Sequence, residues 1–308
     1  MASTRDISTR IGSVKNIQKI TSAMQMVAAA RLRRAEQRIQ ALRPYADVLT
    51  KMTRQAAEAA GNVPQLPILQ EREEQKNIGL VLIAGDRGLS GSFNSQIIRQ
   101  GLRRFEELKE EGKEVTLYAV GRRIDGSLNF RNLTVQAAYT GFTDRPALAD
   151  ARNIAEELMA DYIDENIDSV EIVYNSYISP LQQIVTSQRV LPLQQAEIFE
   201  GGLSESDTDD EAAGEGAEDA NKMPPLWLYE PEPEELLKRL IPDFVEVTIF
   251  RALLESAASE MGAKMTAMQS ASDNASDMIK NLTLEMNRQR QAAITQEILE
   301  VVGGAEGV

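Results

Sequence analysis

The residues best suited to chemistry form the segment GDRGLSGS, residues 85–92, which connects an apolar run to a helical pattern. Glycines before a helix let the backbone approach an anion, and the free N–H groups of the helix N-terminus can then bind phosphate. The segment lacks the lysine and the following Ser or Thr of a Walker loop, and its glycines at 85, 88 and 91 do not give G-x-G-x-x-G. We therefore favour a tight turn that exposes Asp86 and Arg87, with a nucleotide-dependent enzyme as the alternative.

Two residue types with common catalytic roles are missing from the sequence. The chain of 308 residues contains no cysteine and no histidine, which removes thiol nucleophiles, the commonest general base and the commonest metal ligand. The composition therefore argues against hydrolase triads and zinc sites, whereas mechanisms based on carboxylates and Mg²⁺ stay open.

The net charge of −14 is unevenly distributed along the chain. Residues 197–220 carry ten acidic side chains and no basic one, whereas residues 1–60 carry eleven Lys and Arg against four Asp and Glu. The acidic segment is rich in Gly, Ser and Ala and has little to bury, so we interpret residues 197–232 as an acidic mobile loop or linker. An acidic docking segment is the alternative.

The elements that would position these residues begin with a long helix at each end of the chain. Apolar side chains recur mostly at spacings of three and four from Ile7 to Leu42, which predicts a helical segment over residues 1–61. Residues 233–303 show a similar pattern, interrupted at Pro242 and Gly262. Two long helices at opposite ends of one chain predict an antiparallel coiled coil.

The middle of the chain, residues 76–196, predicts a small Rossmann-like α/β domain, so the fold class is α/β with a long coiled coil. Strand patterns at 78–84, 115–120, 170–175 and 184–191 alternate with helical patterns near 95–111 and 147–164. Such a domain has a radius of gyration near 14 Å, while a helix of about 55 residues extends roughly 80 Å. We therefore expect a slim rod that projects beyond the domain and is covered by other subunits.

A basic cluster lies on the N-terminal helix. Arg31, Arg33, Arg34 and Arg38 could form a stripe for nucleic acid or an anionic membrane. No aromatic residue is interleaved with them, which favours a solvated or partner-facing helix. A coiled-coil scaffold or nucleic-acid binder stays open as a further class of function.

Four segments of the sequence together resemble a known family. They are STRIGSVKNIQKITSAMQMVAAARLRRAEQRIQALRPYA near the start, DRGLSGSFN and LYEPEPEELL in the middle, and NRQRQAAITQEILEVVGGA near the end. In this order and spacing they resemble the gamma subunit of F-type ATP synthases. The resemblance covers nearly the whole chain except the acidic stretch from about 200 to 221.

The resemblance implies a rotor rather than an enzyme. In that family the terminal helices form a curved coiled coil inside a ring of alpha and beta subunits, and the α/β domain lies at the foot beside epsilon and the ring of c subunits. Proton flow turns the c-ring and the shaft, which drives the beta sites through binding, synthesis and release of ATP, and the reverse reaction pumps protons. The chain is then a non-catalytic subunit of an enzyme complex, with no catalytic residue, cofactor, metal site or nucleic-acid partner.

The resemblance also implies which residues contact other subunits. Met24 would lie near an acidic segment of beta, with Arg31, Arg33 and Arg34 as charge partners. Further contacts with alpha and beta would involve a loop beneath beta, a basic position on the C-terminal helix and a segment that hydrogen-bonds to a beta loop: Asp86, Arg87 and Ser90; Lys264; Arg290, Gln291 and Thr295. Contacts of the foot with epsilon and the c-ring would involve Leu228, Tyr229 and Glu230.

The sequence contains neither a signal peptide pattern nor an apolar run of about 18 residues. Together with the resemblance, this predicts a soluble chain that associates peripherally with the membrane through the c-ring, on the cytoplasmic face of a bacterial inner membrane. The absence of cysteine excludes the thiol regulation that the family shows in chloroplasts.

Overall fold

A computed structural model describes residues 4–60, 67–69, 72, 75–193 and 232–305. Helix α1 comprises Thr4–Ala60, 57 residues, and a short 3-10 turn follows at Pro67–Leu69. The central elements are β1 (Asn77–Ile83), α2 (Phe93–Glu110), β2 (Glu114–Val120), α3 (Arg122–Phe130), β3 (Val135–Tyr139), α4 (Leu148–Ile163), β4 (Ser169–Ser179) and β5 (Gln182–Leu191). Helix α5, Pro233–Ala305, contains 73 residues.

The two terminal helices pack against each other along the molecule. Leu32 of α1 contacts Ala258 and Met261 of α5 in a small buried cluster, whereas Ala46, further along α1, joins the core that contains Leu237, nearer the start of α5. Since the α5 partner moves backwards as α1 advances, the helices are antiparallel. At 1.5 Å per residue they extend about 85 Å and about 110 Å, and the predicted α/β class with long terminal helices is confirmed.

The central sheet has five strands in the order β3-β2-β1-β4-β5. Strands β1 to β4 are parallel, and β5 pairs antiparallel with β4 through a tight turn. The four strands predicted from the sequence overlap β1, β2, β4 and β5, and β4 continues to Ser179, beyond the predicted end at residue 175. The sequence analysis missed β3 and α3, because β3 has five residues at the sheet edge and α3 is a nine-residue helix with a glycine inside.

Successive side chains of a buried strand pack into two different hydrophobic cores, one on each face of the sheet. Leu80 and Leu82 of β1 pack on the face that α2 and α3 cover, whereas Val81 and Ile83 pack with α1, α4 and α5 on the opposite face. This alternation follows from the two-residue period of a strand. The sheet is therefore enclosed on both sides, as a mostly parallel sheet requires.

Helix α5 changes its surroundings along its length. Between residues 244 and 262 every side chain is buried except those of Phe250 and Arg251, which are partly buried. Residues 291–299 are all exposed, although Ile294, Ile298 and Leu299 are apolar. One end of the helix is thus part of the α/β core, and the other end projects from it.

The glycine at the start of α3 provides a test of this packing. Gly121 has a φ of 102°, and a Cβ placed there would lie 2.2 Å from the carbonyl oxygen of Ala84. We expect Gly121→Ala to lower the free energy of unfolding by about 3 kcal/mol or more, since it combines a left-handed backbone with a backbone clash. The midpoint of urea unfolding, followed by circular dichroism, measures the change.

Gly126→Ala is the matched control, because Gly126 lies inside α3 with nothing within 4 Å of its added Cβ. This substitution should leave the protein unchanged or stabilise it by about 0.5 to 1 kcal/mol, as alanine favours a helix over glycine. Equal effects of the two substitutions would contradict the described approach of Gly121 to β1.

Candidate functional site

The segment GDRGLSGS lies at the carboxyl edge of the sheet, where the chain leaves β1. Strand β2 is on one side of β1 and β4 is on the other, so the strand order reverses there. In open α/β sheets this reversal forms the crevice in which ligands bind. The segment therefore lies where a phosphate loop would lie, and the side chains in the crevice decide whether a ligand can bind there.

Helix α5 fills this crevice. The Ser259 hydroxyl donates a hydrogen bond of 3.1 Å to the backbone oxygen of Asn175 in β4, two residues beyond Val173, where the pairing of β4 with β1 ends. The Glu260 side chain faces Gly85, where an added Cβ would lie 3.0 Å from the carboxyl group, and Gly91 faces Ala267 of the same helix. Gly85 and Gly91 therefore accommodate a helix of the same chain rather than a ligand. The negative charge of the buried Glu260 carboxylate would also repel a phosphate at this position.

The Glu260 carboxyl group is 2% exposed and pairs with Lys264 at 2.8 Å. Burial raises the pKa of Glu260, and nearby Asp144 and Asp86 raise it further, although the Lys264 ammonium opposes them. Lys264 itself is only 14% exposed. The lysine that the sequence analysis assigned to a subunit contact therefore serves an internal ion pair in this structure.

The Asp86 carboxylate connects three loops. It accepts hydrogen bonds from the backbone N–H of Arg122 at 3.1 Å, from that of Gly141 at 2.8 Å, and from both the N–H and the hydroxyl of Thr143. Burial acts to raise the pKa of Asp86, but the hydrogen bonds from Gly141, Arg122 and Thr143 outweigh it and hold the pKa below its usual value. Asp86 therefore organises the edge of the sheet.

The remaining residues of the segment divide into internal and exposed ones. The Asn94 side chain accepts from the N–H of Gly85 at 2.9 Å and donates to the oxygen of Arg87 at 3.0 Å, which closes the turn. Ser90 is 2% exposed. Arg87 and Leu89 are exposed, and Leu89 has a positive φ of 66°. Of the three contacts predicted here, Arg87 lies open to a partner, whereas Asp86 and Ser90 face inwards.

The predicted contacts on α1 lie on the rod. Arg33 and Arg34 are exposed and Met24 is partly buried. Arg31 forms an ion pair of 3.2 Å with Asp144, in the loop after β3. This arginine is thus also a link between the rod and the α/β layer.

The predicted contacts near the end of α5 are remote from the crevice. Arg290, Gln291 and Thr295 are exposed, and the Thr295 hydroxyl donates to the backbone oxygen of Gln291 at 2.9 Å. They lie about 40 Å along the helix from Lys264, at 1.5 Å per residue. The structure therefore does not unite the predicted contacts into one site. Leu228, Tyr229, Glu230 and the acidic residues 197–220 lie outside the described residues.

Comparison with known proteins assigns the chain to a family. A profile described as ATP synthase matches residues 3–308. The ATP synthase gamma chain of Cyanothece sp. (strain PCC 7425 / ATCC 29141) is 42% identical over 320 residues, which cover 100% of each chain. This chain belongs to the ATP synthase gamma chain family. The gamma chain of Trichormus variabilis is 41% identical, again over 100% of both chains, so the family resemblance seen in the sequence is confirmed.

Solved structures share the fold of this gamma-family chain. A chain of the Euglena gracilis mitochondrial ATP synthase, in a structure of OSCP, F1 and c-ring, aligns with a TM-score of 0.63 at 18% identity and covers 99% of this chain and 94% of its own length. A chain of the Tetrahymena thermophila central stalk and c-ring structure aligns with a TM-score of 0.58 at 24% identity and covers 82% and 99%. At these identities the likeness concerns the fold.

Sequence reasoning missed several residues that shape the site of this gamma-family chain. Glu260, Asn94, Thr143 and Asp144 carry the network around the crevice. One signal was available, since glutamate and lysine four residues apart on a helix form an ion pair, as Glu260 and Lys264 do. The contacts of Thr143 and Asp144 had no sequence signal, because they depend on how loops meet.

Among the described residues of this gamma-family chain, no helix is both long and apolar enough to cross a bilayer. In the same part of the chain, no group of three or more Asp, Glu, His or Cys is arranged to hold a metal ion.

The hydrogen bonds of Asp86 predict an acid-sensitive stabilisation. The folded pKa of Asp86 lies below 3.8, the ordinary value for aspartate, so its contribution to stability is present above pH 3.8 and is lost as the pH falls through the lower folded value. We expect Asp86→Asn to destabilise the protein by about 1 kcal/mol at neutral pH. An amide has a single acceptor oxygen, so it cannot accept from Arg122 on one side and from Gly141 and Thr143 on the other. The difference from the unmodified protein should shrink in acid.

Urea unfolding at neutral pH and in acid measures both values. Asp277→Asn is the matched control, because the Asp277 side chain is 69% exposed and contacts only Lys280 among the described ion pairs. If Asp86→Asn destabilised equally at all pH values, the assigned role of the carboxylate charge would be wrong.

Proposed function

We propose that this chain is the central rotor shaft of an F-type ATP synthase. It would couple proton-driven rotation of the c-ring to conformational cycling of the three catalytic beta subunits, and it would support ATP-driven proton pumping in reverse. The observation that carries this proposal is the rod of α1 and α5, which extends far beyond the α/β layer in a chain of the gamma family.

Exposed apolar side chains on the rod support an enclosed position. They lie on both helices and are 48% to 66% exposed in these examples: Ile17, Ile20, Met26 and Val27 on α1, and Met278, Ile294, Ile298 and Leu299 on α5. A pair of helices has too little mutual surface to bury all of them. Apolar surface spread along a projecting rod favours a surrounding sleeve of protein, which we assign to the alpha and beta subunits.

The coupling mechanism depends on the asymmetry of the shaft. No bond is made or broken on this chain. A shaft without threefold symmetry contacts three chemically identical beta sites differently at each angle. Each contact favours a different conformation, so rotation shifts the populations of the three sites in turn. The rod has such asymmetry, because α5 contains 73 residues and α1 contains 57.

We assign the contacts with beta to the members of the predicted set that are exposed or partly exposed. Met24 and Arg33 would meet an acidic segment of beta, and Arg87 would reach its underside. Arg290, Gln291 and Thr295 would hydrogen-bond to a beta loop near the tip of α5. Asp86, Ser90 and Lys264 would act indirectly, since their side chains shape the junction below.

The remaining segments complete the proposed assembly. We assign residues 1–61 and 233–303 to the shaft and residues 76–196 to the foot. Residues 197–232, of which the structure describes only residue 232, would be an acidic linker. The foot, with Leu228, Tyr229 and Glu230, would contact epsilon and the c-ring. With these contacts the chain would lie peripherally at the cytoplasmic face of a bacterial inner membrane, and its similarity to bacterial gamma chains supports this location.

A nucleotide-dependent enzyme is the main rival, and the filled crevice argues against it. Reconstitution of alpha and beta with and without this chain tests the proposal. We expect the chain to be needed for sustained, cooperative ATP hydrolysis, and the chain alone to show none. ATP turnover by the isolated chain, or an assembly indifferent to its presence, would refute the rotor function.

The tip of α5 provides a residue-level test. We expect Arg290→Ala combined with Gln291→Ala to lower ATP turnover and proton pumping roughly five- to tenfold, since a hydrogen bond contributes about 1 kcal/mol and about 1.4 kcal/mol corresponds to a tenfold change in rate. The change should leave the fold intact, because both residues are exposed. Turnover and pumping are measured in the membrane-reconstituted complex.

Arg103→Ala combined with Gln136→Ala is the matched control, since these residues are exposed on α2 and β3 rather than at the tip of α5. The control should retain full coupling. Unchanged pumping in the Arg290 and Gln291 variant would remove these two residues from the proposed contact.

A further inference from the structure

A cleft lies between α1, the loop 141–147 and α5. Its volume is about 520 Å³, and its lining consists of Arg31, Arg34, Ala35, Gln37, Arg38 and Ala41 from α1, Asp144, Arg145 and Pro146 from the loop, and Leu254 and Ala257 from α5. This volume is within the range of small-molecule sites, about 300 to 1,000 Å³. The crevice at the end of β1 is a different place, which α5 occupies.

One wall of the cleft is a row of arginines on a single helix face. Arg31, Arg34 and Arg38 are spaced by three and four residues, so their side chains project from the same side of α1. The small side chains of Ala35 and Ala41 leave the hollow between them. Arg33 is on the same helix and exposed, but it does not line the cleft.

The opposite wall is held in place by the sheet edge. The loop that carries Arg145 is tied to Asp86 through Gly141 and Thr143, and the N–H of Arg145 donates to the oxygen of Phe142 at 2.9 Å. The loop is also tied to α1, because Arg38 donates to the oxygen of Pro146 at 3.5 Å. A site whose walls are already ordered loses less entropy when a ligand binds.

The charges that line the cleft are unbalanced. Asp144 is the single carboxylate among the lining residues, and it pairs with Arg31. Within the described part of the chain, the guanidinium groups of Arg34 and Arg145 have no hydrogen-bond or ion-pair partner. The guanidinium groups of Arg34 and Arg145 can therefore donate hydrogen bonds to an anion from two opposite walls of the cleft. Leu254 and Ala257 form its floor.

We propose that this cleft binds a phosphate-bearing anion, either inorganic pyrophosphate or the diphosphate end of a nucleotide. Planar guanidinium groups match the oxygens of phosphate with paired hydrogen bonds. The cleft is walled on two sides and floored by α5, which suits a compact anion better than an acidic helix. The proposal does not depend on the rotor function, because it rests on the cleft alone.

Calorimetric titration of the full chain with pyrophosphate at low ionic strength tests the site. We expect saturable binding of one anion per chain. Arg34→Gln and Arg145→Gln should each weaken it about tenfold, since a charge-assisted hydrogen bond is lost. Arg33→Gln is the matched control and should change the affinity by less than about twofold, the effect of general screening alone.

Asp144→Asn should change the affinity in the opposite direction. It removes the carboxylate that neutralises Arg31, so we expect pyrophosphate to bind about threefold more tightly or better. Circular dichroism checks that each variant folds. These residues are exposed or partly exposed, so folding should be retained.

A parallel titration with ADP distinguishes the source of the phosphate. Tighter binding of ADP than of pyrophosphate supports the site with a nucleotide on the apolar floor, and equal or weaker binding supports it with a free inorganic anion. Absence of saturable pyrophosphate binding, or equal weakening by Arg33→Gln, would overturn the proposal. Displacement of pyrophosphate by a glutamate peptide at lower concentration would also overturn it, in favour of an acidic protein segment.

Discussion

The burial of α5 between residues 244 and 262 is the constraint on which the rest of this structure depends. This part of the helix is enclosed by α1, α4 and the sheet, and Ser259 and Glu260 also close the ligand crevice at the end of β1. A helix packed on all sides cannot roll or slide without breaking many contacts at once. The α/β layer and the rod must therefore turn as one body, which is what transmission of torque requires.

Polar contacts define the register of this junction more sharply than apolar packing does. Glu255 receives hydrogen bonds from Ser176 of β4 and Arg251 of its own helix, and Tyr177 donates to Glu36 of α1 at 2.5 Å. A buried carboxylate without a partner is strongly destabilising. A shift of α5 by one turn would break the Ser176–Glu255 hydrogen bond, and a shift of α1 would break the Tyr177–Glu36 hydrogen bond, in addition to misplacing apolar side chains. The carboxylates thus make one alignment of rod and sheet much more favourable than its neighbours.

For the glycine-rich segment 85–92, the motif spacing and the tertiary structure both argue against phosphate binding. Its spacing argued against a phosphate loop, and the packing supplies the reason, since Gly85 and Gly91 accommodate Glu260 and Ala267 rather than a ligand. The arginine cleft shows the converse. The sequence marked Arg31, Arg34 and Arg38 as a stripe, yet only the loop that brings Arg145 opposite them turns the stripe into a concave site.

The sequence by itself determined the two long helices, four of the five strands and the family, because hydrophobic period and motif spacing are local properties that survive without coordinates. It did not determine that Asp86, Ser90 and Lys264 face inwards, that Glu260 plugs the crevice, or that Asp144 joins the rod to the sheet. Each of these depends on which loop or helix face arrives from a distant part of the chain. Only the folded arrangement brings those groups within hydrogen-bond distance, and so it alone decides which polar residues remain available to partners.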